Sequence, residues 1–194
     1  RAGVDYVKFQ TFNASKLVSK SAKKAAYQKT NTNTKDNSQL QMLQNLELEK
    51  ETHYILRDHF KFHSVKFLST GFDLDSLQFL NEFGLDLFKV PSGEITNLPY
   101  LEMVASFKKP IILSTGMANM EEIENALDVL VGNGVKKTQI TVLHCNTEYP
   151  TPMEDVNLKA MNTIGRKFQV AIGYSDHTLG IEIPVAAVAL GATP

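Results

Sequence analysis

The chain has 194 residues, a formal net charge of -1 and 43% hydrophobic residues. This is the composition of a globular protein with one good core, and the balanced charge excludes a general attraction to nucleic acid. No apolar run approaches the ~20 residues of a membrane span, no signal-like segment opens the chain, and Cys145 is the single cysteine, which excludes an internal disulfide. We therefore expect a cytoplasmic protein with no nucleic-acid partner and no membrane partner.

Six short apolar, β-branched or aromatic runs predict strands, and segments with helical spacing separate them. Helices are expected after Asp73, Asn97 and Asn119, because each of these residues is a good helix cap. The alternation of strand and helix predicts an α/β fold with a parallel sheet. The strand candidates are residues 4–9, 65–69, 85–90, 110–114, 140–144 and 170–173.

The last five strands are evenly spaced, which favours a (β/α)8 TIM barrel. About six β/α units are visible, so residues 1–194 are expected to form a single incomplete barrel domain that is truncated at both ends. An open doubly wound sheet is the competing architecture. No Gly-rich dinucleotide fingerprint follows the first strand, and the barrel is therefore preferred.

The segment between the first two strands is longer than the others. Residues 15–37 are rich in Lys, Asn, Thr and Ser and predict a long barrel loop. The loop is either a lid whose lysines assist an anionic substrate or a solvated and partly disordered segment. Its lysines are Lys16, Lys20, Lys23, Lys24 and Lys29.

Residues 38–62 predict a helical segment. One apolar face starts with three leucines at helical spacing and is expected to continue through Tyr54, Ile55 and Leu56. The leucines are Leu40, Leu43 and Leu46, and three histidines are found in or next to this segment, His53, His59 and His63. Because these histidines are far from any predicted strand end, we interpret them as surface or packing residues.

Polar side chains follow every predicted strand. In a barrel these groups converge on one mouth, where two lysines and several hydroxyls suit a phosphate that bears a second anionic group. A carboxylate there can act as an acid or base, and His177 beside Asp176 suits a metal ion or proton transfer. His144 is a weaker candidate because it could point into the barrel. The groups are Lys8 and Gln10; Ser69 and Thr70; Lys89, Ser92 and Glu94; Ser114 and Thr115; His144, Asn146, Thr147 and Tyr149; and Ser175, Asp176 and His177.

Six segments carry these groups in a fixed order. They are KFQ from Lys8, FLST from Phe67, KVPSGE from Lys89, LSTGM from Leu113, LHC from Leu143 with YPTP from Tyr149, and GYSDHT from Gly173. In order and spacing they resemble the sialic acid synthase family, whose members include N-acetylneuraminate synthases and bacterial legionaminic acid synthases. The resemblance implies a transferase that condenses phosphoenolpyruvate with an open-chain N-acetylated amino sugar, giving a nonulosonic acid and phosphate. The sugar is N-acetylmannosamine or its diacetylated 6-deoxy analogue.

The resemblance also implies roles for individual residues. Lys8, Lys89 and Glu94 are the expected catalytic residues, Glu94 for proton transfer or substrate orientation. His177 is the expected ligand of a divalent metal, usually Mn²⁺, with Mg²⁺ or Co²⁺ as other choices. The family usually has Asn at the position of Thr147, so the contact to the sugar is open between Asn146 and Thr147. Phosphoenolpyruvate is expected to contact Lys8, Thr70, Lys89, Ser92, Ser114 and Ser175, and the sugar to lie near Gln10 and Tyr149.

Further parts of the family pattern are expected outside residues 1–194. They are a first strand with an acidic residue and a histidine, a second metal-binding histidine, and a carboxyl-terminal antifreeze-like domain that reaches the partner's site in a homodimer. We therefore expect residues 1–194 alone to be poorly active.

Two alternatives remain. One is another phosphoenolpyruvate-condensing barrel synthase that makes a 3-deoxy sugar acid from an aldose phosphate, with the lysine-rich loop holding the second phosphate. The other is a non-catalytic sugar-binding barrel.

Overall fold

A computed structural model describes residues 3–25, 28–29 and 38–194. All the predicted strands are present, with bounds shifted by up to three residues. The chain divides into two compact units, Arg1–Leu85 and Asp86–Pro194. The strands are Tyr6–Thr11 (β1), Lys66–Gly71 (β2), Phe88–Val90 (β3), Ile111–Ser114 (β4), Ile140–Cys145 (β5) and Ala171–Ser175 (β6).

The first unit is built on the parallel pair β1 and β2. Phe9 of β1 stacks on Phe67 of β2, with ring centroids 5.4 Å apart, and lies 5.8 Å from the ring of Phe60 in a covering helix. Because side chains alternate along a strand, Lys8 and Gln10 lie on the face opposite these rings. The helices of this unit are Ala14–Leu17 (α1), Gln39–Gln44 (α2), Lys50–Phe62 (α3) and Leu74–Phe83 (α4).

The predicted helical segment 38–62 consists of two helices, α2 and α3. The prediction that Tyr54 and Ile55 continue the buried face was wrong, since both are exposed, Ile55 by 68%. The buried residue of α3 is His53. Helical periodicity places Leu56 and Phe60 on the same side as His53 and turns Ile55 outward. The pattern of apolar residues predicts the wrong inward face for α3, because the residue buried on that face is a histidine, His53.

The lysine-rich segment is tied at both ends. Lys23 and Ser38 form an antiparallel backbone bridge, and the Gln39 amide donates to Ala22 O at 3.1 Å. Lys16 pairs with Asp75, and Lys24 is buried. Of the two interpretations of this loop, the solvated segment is therefore wrong for Lys24. Residues 26–27 and 30–37, on which the prediction of a lid also depends, lie outside the described residues.

The second unit contains β3, β4, β5 and β6 as a parallel sheet in that order. Sequential order is what a barrel predicts, whereas a doubly wound sheet reverses its order at a switch point. None of the described helices is long and apolar enough to cross a membrane. The helices of this unit are Leu98–Ser106 (α5), Met120–Gly132 (α6), Lys159–Phe168 (α7) and Glu182–Ala189 (α8).

The predicted caps of α4, α5 and α6 are confirmed. Asp73 Oδ1 accepts from Ser76 N at 2.9 Å and Asn97 Oδ1 accepts from Tyr100 N at 3.3 Å. Asn119 forms a capping box with Glu122, so the first amides of α6 and the cap amide are both satisfied. These caps fix where each helix starts and therefore the length of each loop after a strand.

The two faces of the second sheet differ in polarity. Phe88, Val90 and Leu113 are fully buried, and the Phe88 ring lies 4.9 Å from Phe107 at the end of α5. The core therefore lies between this face and the helices. Lys89 and its register partner Ile112 point to the other face, and Ser114 lies on that face two residues further along β4.

Candidate active site

A lysine and a serine meet at the carboxyl ends of β3 and β4. Lys89 is half-buried, and its Nζ donates to Ser114 Oγ at 2.8 Å. Ser114 is itself buried. An ammonium held beside a hydroxyl provides a point charge and a directional donor, which is a combination suited to one oxyanion.

Ser92 is positioned by the loop after β4. It begins the 3₁₀ turn Ser92–Glu94, and its Oγ accepts from Gly116 N at 2.9 Å and lies 3.4 Å from Cys145 Sγ. A Cβ on Gly116 would lie 2.6 Å from Thr147 Cγ2 and 3.0 Å from Ser92 Oγ. Only glycine therefore fits at position 116 without a shift of Ser92 or Thr147. Sequence reasoning assigned no role to Gly116 or Cys145, although both lie in the quoted motifs.

The end of β6 brings Ser175, His177 and Tyr149 together. Ser175 is the register partner of Cys145, and its Oγ lies 3.3 Å from His177 Nε2. The His177 ring contacts the Tyr149 ring edge to face, with centroids 4.4 Å apart. Thr151 N donates to His177 O at 2.8 Å, which ties the loop after β5 to the loop after β6. Polar side chains therefore lie along the carboxyl edge of the second sheet. We call this set the polar row; its members are Lys89, Ser92, Ser114, Tyr149, Ser175 and His177.

Glu94 and Asn146 make local contacts. Glu94 Oε2 accepts from Asn97 Nδ2 at 2.6 Å, which orients the carboxylate beside the start of α5. Asn146 Nδ2 donates to Asp155 O at 2.9 Å, and Asn146 Oδ1 is buried without a hydrogen-bond partner among the described residues. Thr147, by contrast, packs beside Ser92 and Gly116. The structure therefore places Thr147 next to the polar row and uses the Asn146 amide inside its own loop.

His144 lies on the opposite face of β5 from Cys145. Its Nε2 lies 2.9 Å from Val156 O and its ring lies 5.7 Å from the ring of Tyr174. Tyr174 belongs to a cluster with Met161 of α7 and Ala187 of α8. The expectation that His144 points into the barrel was wrong, because the strand parity turns it toward the helices. Burial, with smaller contributions from Asp176 and Cys145, raises the pKa of the Tyr174 hydroxyl.

In the first unit, Lys8, Gln10 and Thr70 share one face. Gln10 is the register partner of Thr70, and Lys8 is the register partner of Leu68. Desolvation lowers the pKa of Lys8, even though a large part of the residue surface is exposed. Thr70 Oγ1 is buried and has no hydrogen-bond partner in the described part of the chain. A buried, unpaired hydroxyl costs free energy, and this one lies beside two residues predicted to bind substrate.

On the other face of the same strands lies a network that sequence reasoning missed. Thr11 Oγ1 is 2.7 Å from both His53 Nε2 and Ser69 Oγ, and His53 Nδ1 is 2.8 Å from Glu49 O. His53 is fully buried, so its interpretation as a packing residue is confirmed, but it is not far from a strand end. It contacts the last residue of β1. The pattern of apolar residues along α3 could not identify His53 as buried, because histidine is a polar residue.

The buried imidazole leads to a prediction about stability. Burial lowers the pKa of His53 from its ordinary value of 6.5, only partly offset by the hydrogen bond to Glu49 O. Below pH 6.5 the unfolded chain therefore takes up a proton before the folded chain does, so the free energy of unfolding falls as pH decreases. We expect urea unfolding to show lower stability at about pH 5.5 than at about pH 7.5. His53→Gln should remove this part of the slope; a slope equal to that of the parent would contradict the assignment.

His177 is the residue that the motifs predict as a metal ligand. Within residues 3–25, 28–29 and 38–194, no group of three or more His, Cys, Asp or Glu side chains is arranged to hold a metal ion. The residues described thus do not by themselves fit a divalent cation, which needs more ligands than one imidazole.

Comparisons with known proteins indicate the same family as the six motifs do. The model of the NeuB family matches residues 1–194. The chain is 58% identical to an N,N'-diacetyllegionaminic acid synthase from Campylobacter jejuni over 191 residues, which are 98% of this chain and 57% of that protein. It is 47% identical to the synthase of the same name from Legionella pneumophila over 194 residues, 98% of this chain and 54% of that protein. The chain therefore spans little more than half the length of these relatives.

A solved structure confirms the fold class. The crystal structure of an N-acetylneuraminic acid synthetase from Leptospira borgpetersenii in complex with citrate superimposes with a TM-score of 0.82 at 31% identity. The match covers 97% of this chain and 60% of that chain. The predicted α/β barrel class is confirmed, and the open doubly wound sheet is excluded.

Proposed function

The chain belongs to the NeuB family, and from that premise we propose that it is the barrel part of a synthase that condenses phosphoenolpyruvate with an N-acetylated amino sugar. Both relatives named above are N,N'-diacetyllegionaminic acid synthases, at 58% and 47% identity. We therefore prefer the diacetylated 6-deoxy sugar over N-acetylmannosamine as the acceptor. The product is then N,N'-diacetyllegionaminic acid, released together with phosphate.

The observation that carries this proposal is the contact between Lys89 Nζ and Ser114 Oγ at 2.8 Å. In the proposal this pair binds one anionic end of phosphoenolpyruvate, with Ser92 and Ser175 further along the same polar row. For the first unit, the resemblance supports Lys8 and Thr70 as proposed phosphoenolpyruvate contacts. A bound dianion favours the charged form of Lys8, which opposes the desolvation that lowers its pKa.

The proposed chemistry joins two substrates held in line. Carbon 3 of phosphoenolpyruvate attacks the aldehyde carbon of the open-chain sugar and forms the new C–C bond, while the aldehyde oxygen takes a proton. Water adds at carbon 2, and phosphate leaves by C–O cleavage. Fixed cations reduce the barrier by holding the enol ester in position for attack. Glu94, oriented by Asn97, is the proposed proton-transfer group, and Gln10, Thr147 and Tyr149 are the proposed contacts to the sugar.

A divalent ion belongs to the same proposal, with Mn²⁺ first and Mg²⁺ or Co²⁺ next. If further ligands completed a site around His177, the ion would supply a Lewis acid for the sugar aldehyde. His177 is the proposed ligand from this chain, and the other ligands would come from outside the described residues. The resemblance also supports a cytoplasmic homodimer in which an antifreeze-like domain follows a single barrel domain.

The decisive experiment measures phosphate release by the full-length protein. The diacetylated 6-deoxy sugar, N-acetylmannosamine and an aldose phosphate are each supplied with phosphoenolpyruvate and Mn²⁺. Release with the diacetylated sugar supports the proposal. Release only with the aldose phosphate would favour the 3-deoxy sugar acid alternative. No release with any sugar, together with no calorimetric binding of phosphoenolpyruvate, would favour the non-catalytic barrel.

Thr70 gives a prediction in which stability and binding change in opposite directions. Thr70→Val removes a buried hydroxyl that lacks a partner among the described residues, so the variant should be as stable as the parent or more stable, by up to about 1–3 kcal/mol. If the hydroxyl binds phosphoenolpyruvate, the same change should weaken binding by about 3- to 10-fold. Thermal unfolding and calorimetry measure the two effects. Thr70→Ser retains the hydroxyl and is the control; loss of stability without loss of affinity in Thr70→Val would contradict the assignment.

A further inference from the structure

We propose that His53 is a positioning residue for the candidate active site. Through Thr11 and Ser69 it holds the ends of β1 and β2 in the register that presents Gln10 and Thr70 to substrate. This inference rests on the proposed function for the roles of Gln10 and Thr70, whereas the hydrogen-bonded network itself does not depend on it.

With a neutral imidazole, the hydrogen bonds of this network run in one direction. Glu49 O can only accept, so His53 Nδ1, 2.8 Å away, carries the proton. In the neutral imidazole His53 Nε2 is then an acceptor, and it receives the hydroxyl proton of Thr11 at 2.7 Å. Thr11 Oγ1 in turn accepts from Ser69 Oγ at 2.7 Å. The chain of donors therefore runs from Ser69 through Thr11 and His53 to the backbone of Glu49, just before α3.

The network crosses the two strands directly behind the proposed substrate contacts. Gln10 and Thr70 are register partners, and their neighbours Thr11 and Ser69 are joined on the opposite face. A slip or a change of twist between β1 and β2 at this level would break the Thr11–Ser69 hydrogen bond. His53 anchors that bond to α3, so the position of the helix is coupled to the spacing of Gln10 and Thr70.

Packing alone does not explain an imidazole at this position. The His53 ring contacts Phe67, Phe79 and Phe83 edge to face, with centroids 6.0, 5.1 and 6.2 Å away. A phenylalanine would fill such a site as well. Only a side chain with a donor toward Glu49 O and an acceptor toward Thr11 satisfies both ends of the network, and a buried hydroxyl without its acceptor is costly.

The test uses the full-length protein and steady-state kinetics. His53→Phe and Thr11→Val each remove the network while they fill the space. Each should raise the KM for phosphoenolpyruvate by about 3- to 10-fold with a smaller change in kcat. His53→Gln retains a donor and an acceptor, Thr11→Ser retains the hydroxyl, and both should restore a KM within about 2-fold of the parent. The double variant His53→Phe/Thr11→Val should be no worse than either single variant, since both act on one network.

A KM unchanged in His53→Phe, a Thr11→Ser variant as impaired as Thr11→Val, or additive effects in the double variant would each overturn the proposal. A second readout is independent of catalysis. Nitrogen NMR of the parent should show His53 neutral with the proton on Nδ1, and Thr11→Val should shift the Nε2 resonance. A proton on Nε2 would overturn the network even if the protein has no synthase activity. Absence of activity with the expected tautomer would instead reject the proposed function.

Discussion

Lys89→Ala in the full-length protein is expected to lower kcat/KM for phosphoenolpyruvate on the order of 100- to 1000-fold, the loss typical of one preorganised charged donor. Lys89 Nζ donates to Ser114 Oγ, and the proposed ligand is an anion, so the variant loses both a charge and a positioned donor. Lys89 is half-buried and lies on the face of β3 opposite the core residues Phe88 and Val90, so the fold should persist. Phosphate-release kinetics and circular dichroism measure the two quantities.

The matched control for this variant is Lys159→Ala. Lys159 is an exposed lysine of the same unit at the start of α7. It should leave kcat/KM within about 2-fold of the parent, because a solvent-exposed charge contributes little. Near-normal turnover of Lys89→Ala, or an equal loss in Lys159→Ala, would reject Lys89 as an anion contact.

Gly116→Ala is expected to reduce both stability and activity. The new methyl group would lie 2.6 Å from Thr147 Cγ2 and 3.0 Å from Ser92 Oγ, and both groups must shift. Overpacking of this kind costs about 1–3 kcal/mol. Because Gly116 N donates to Ser92 Oγ, the shift also displaces a proposed phosphoenolpyruvate contact, and kcat/KM should fall by about 10-fold or more. Urea unfolding and kinetics of the full-length protein measure the two effects.

A second substitution tests whether the effect of Gly116→Ala comes from the contact between the new methyl group and Thr147. Thr147→Ser removes the methyl group that the alanine would strike, so Gly116→Ala/Thr147→Ser should recover part of the lost stability and activity. Gly132→Ala is the matched control. A Cβ at Gly132, the last residue of α6, meets no atom within 4 Å, and alanine there should stabilise the helix by about 0.5–1 kcal/mol. Failure of the double variant to recover would show that Thr147 does not restrict position 116.

Local rules were sufficient to predict the order of strands and helices. Asp73, Asn97 and Asn119 cap the helices that follow them because their side chains satisfy the first free amides, a property of the residue itself. The strands were found from short apolar runs. Once the strands were placed, their carboxyl ends identified Lys89 and Ser114, which the structure brings together.

Contacts that depend on distant residues could not be predicted. Successive side chains of a strand point to opposite faces, so a shift of one residue would turn His144 to the other face. Only the pairing of β5 with its neighbours, up to Cys145, determines which face His144 takes. The role of His53 depends on Thr11, 42 residues earlier, and an imidazole inside an aromatic cluster breaks the apolar pattern of α3. The need for glycine at position 116 arises from Thr147 in another loop.

The bridge between Lys23 and Ser38 makes the segment between these residues exchangeable. Its two ends are fixed to each other by backbone hydrogen bonding, so a change in the length between them need not displace β1 or α2. Each doubling of the length of a closed segment adds only about 0.6 kcal/mol to the cost of closing it. A variant with a different number of residues between these two positions should therefore keep β1 and α2 in place.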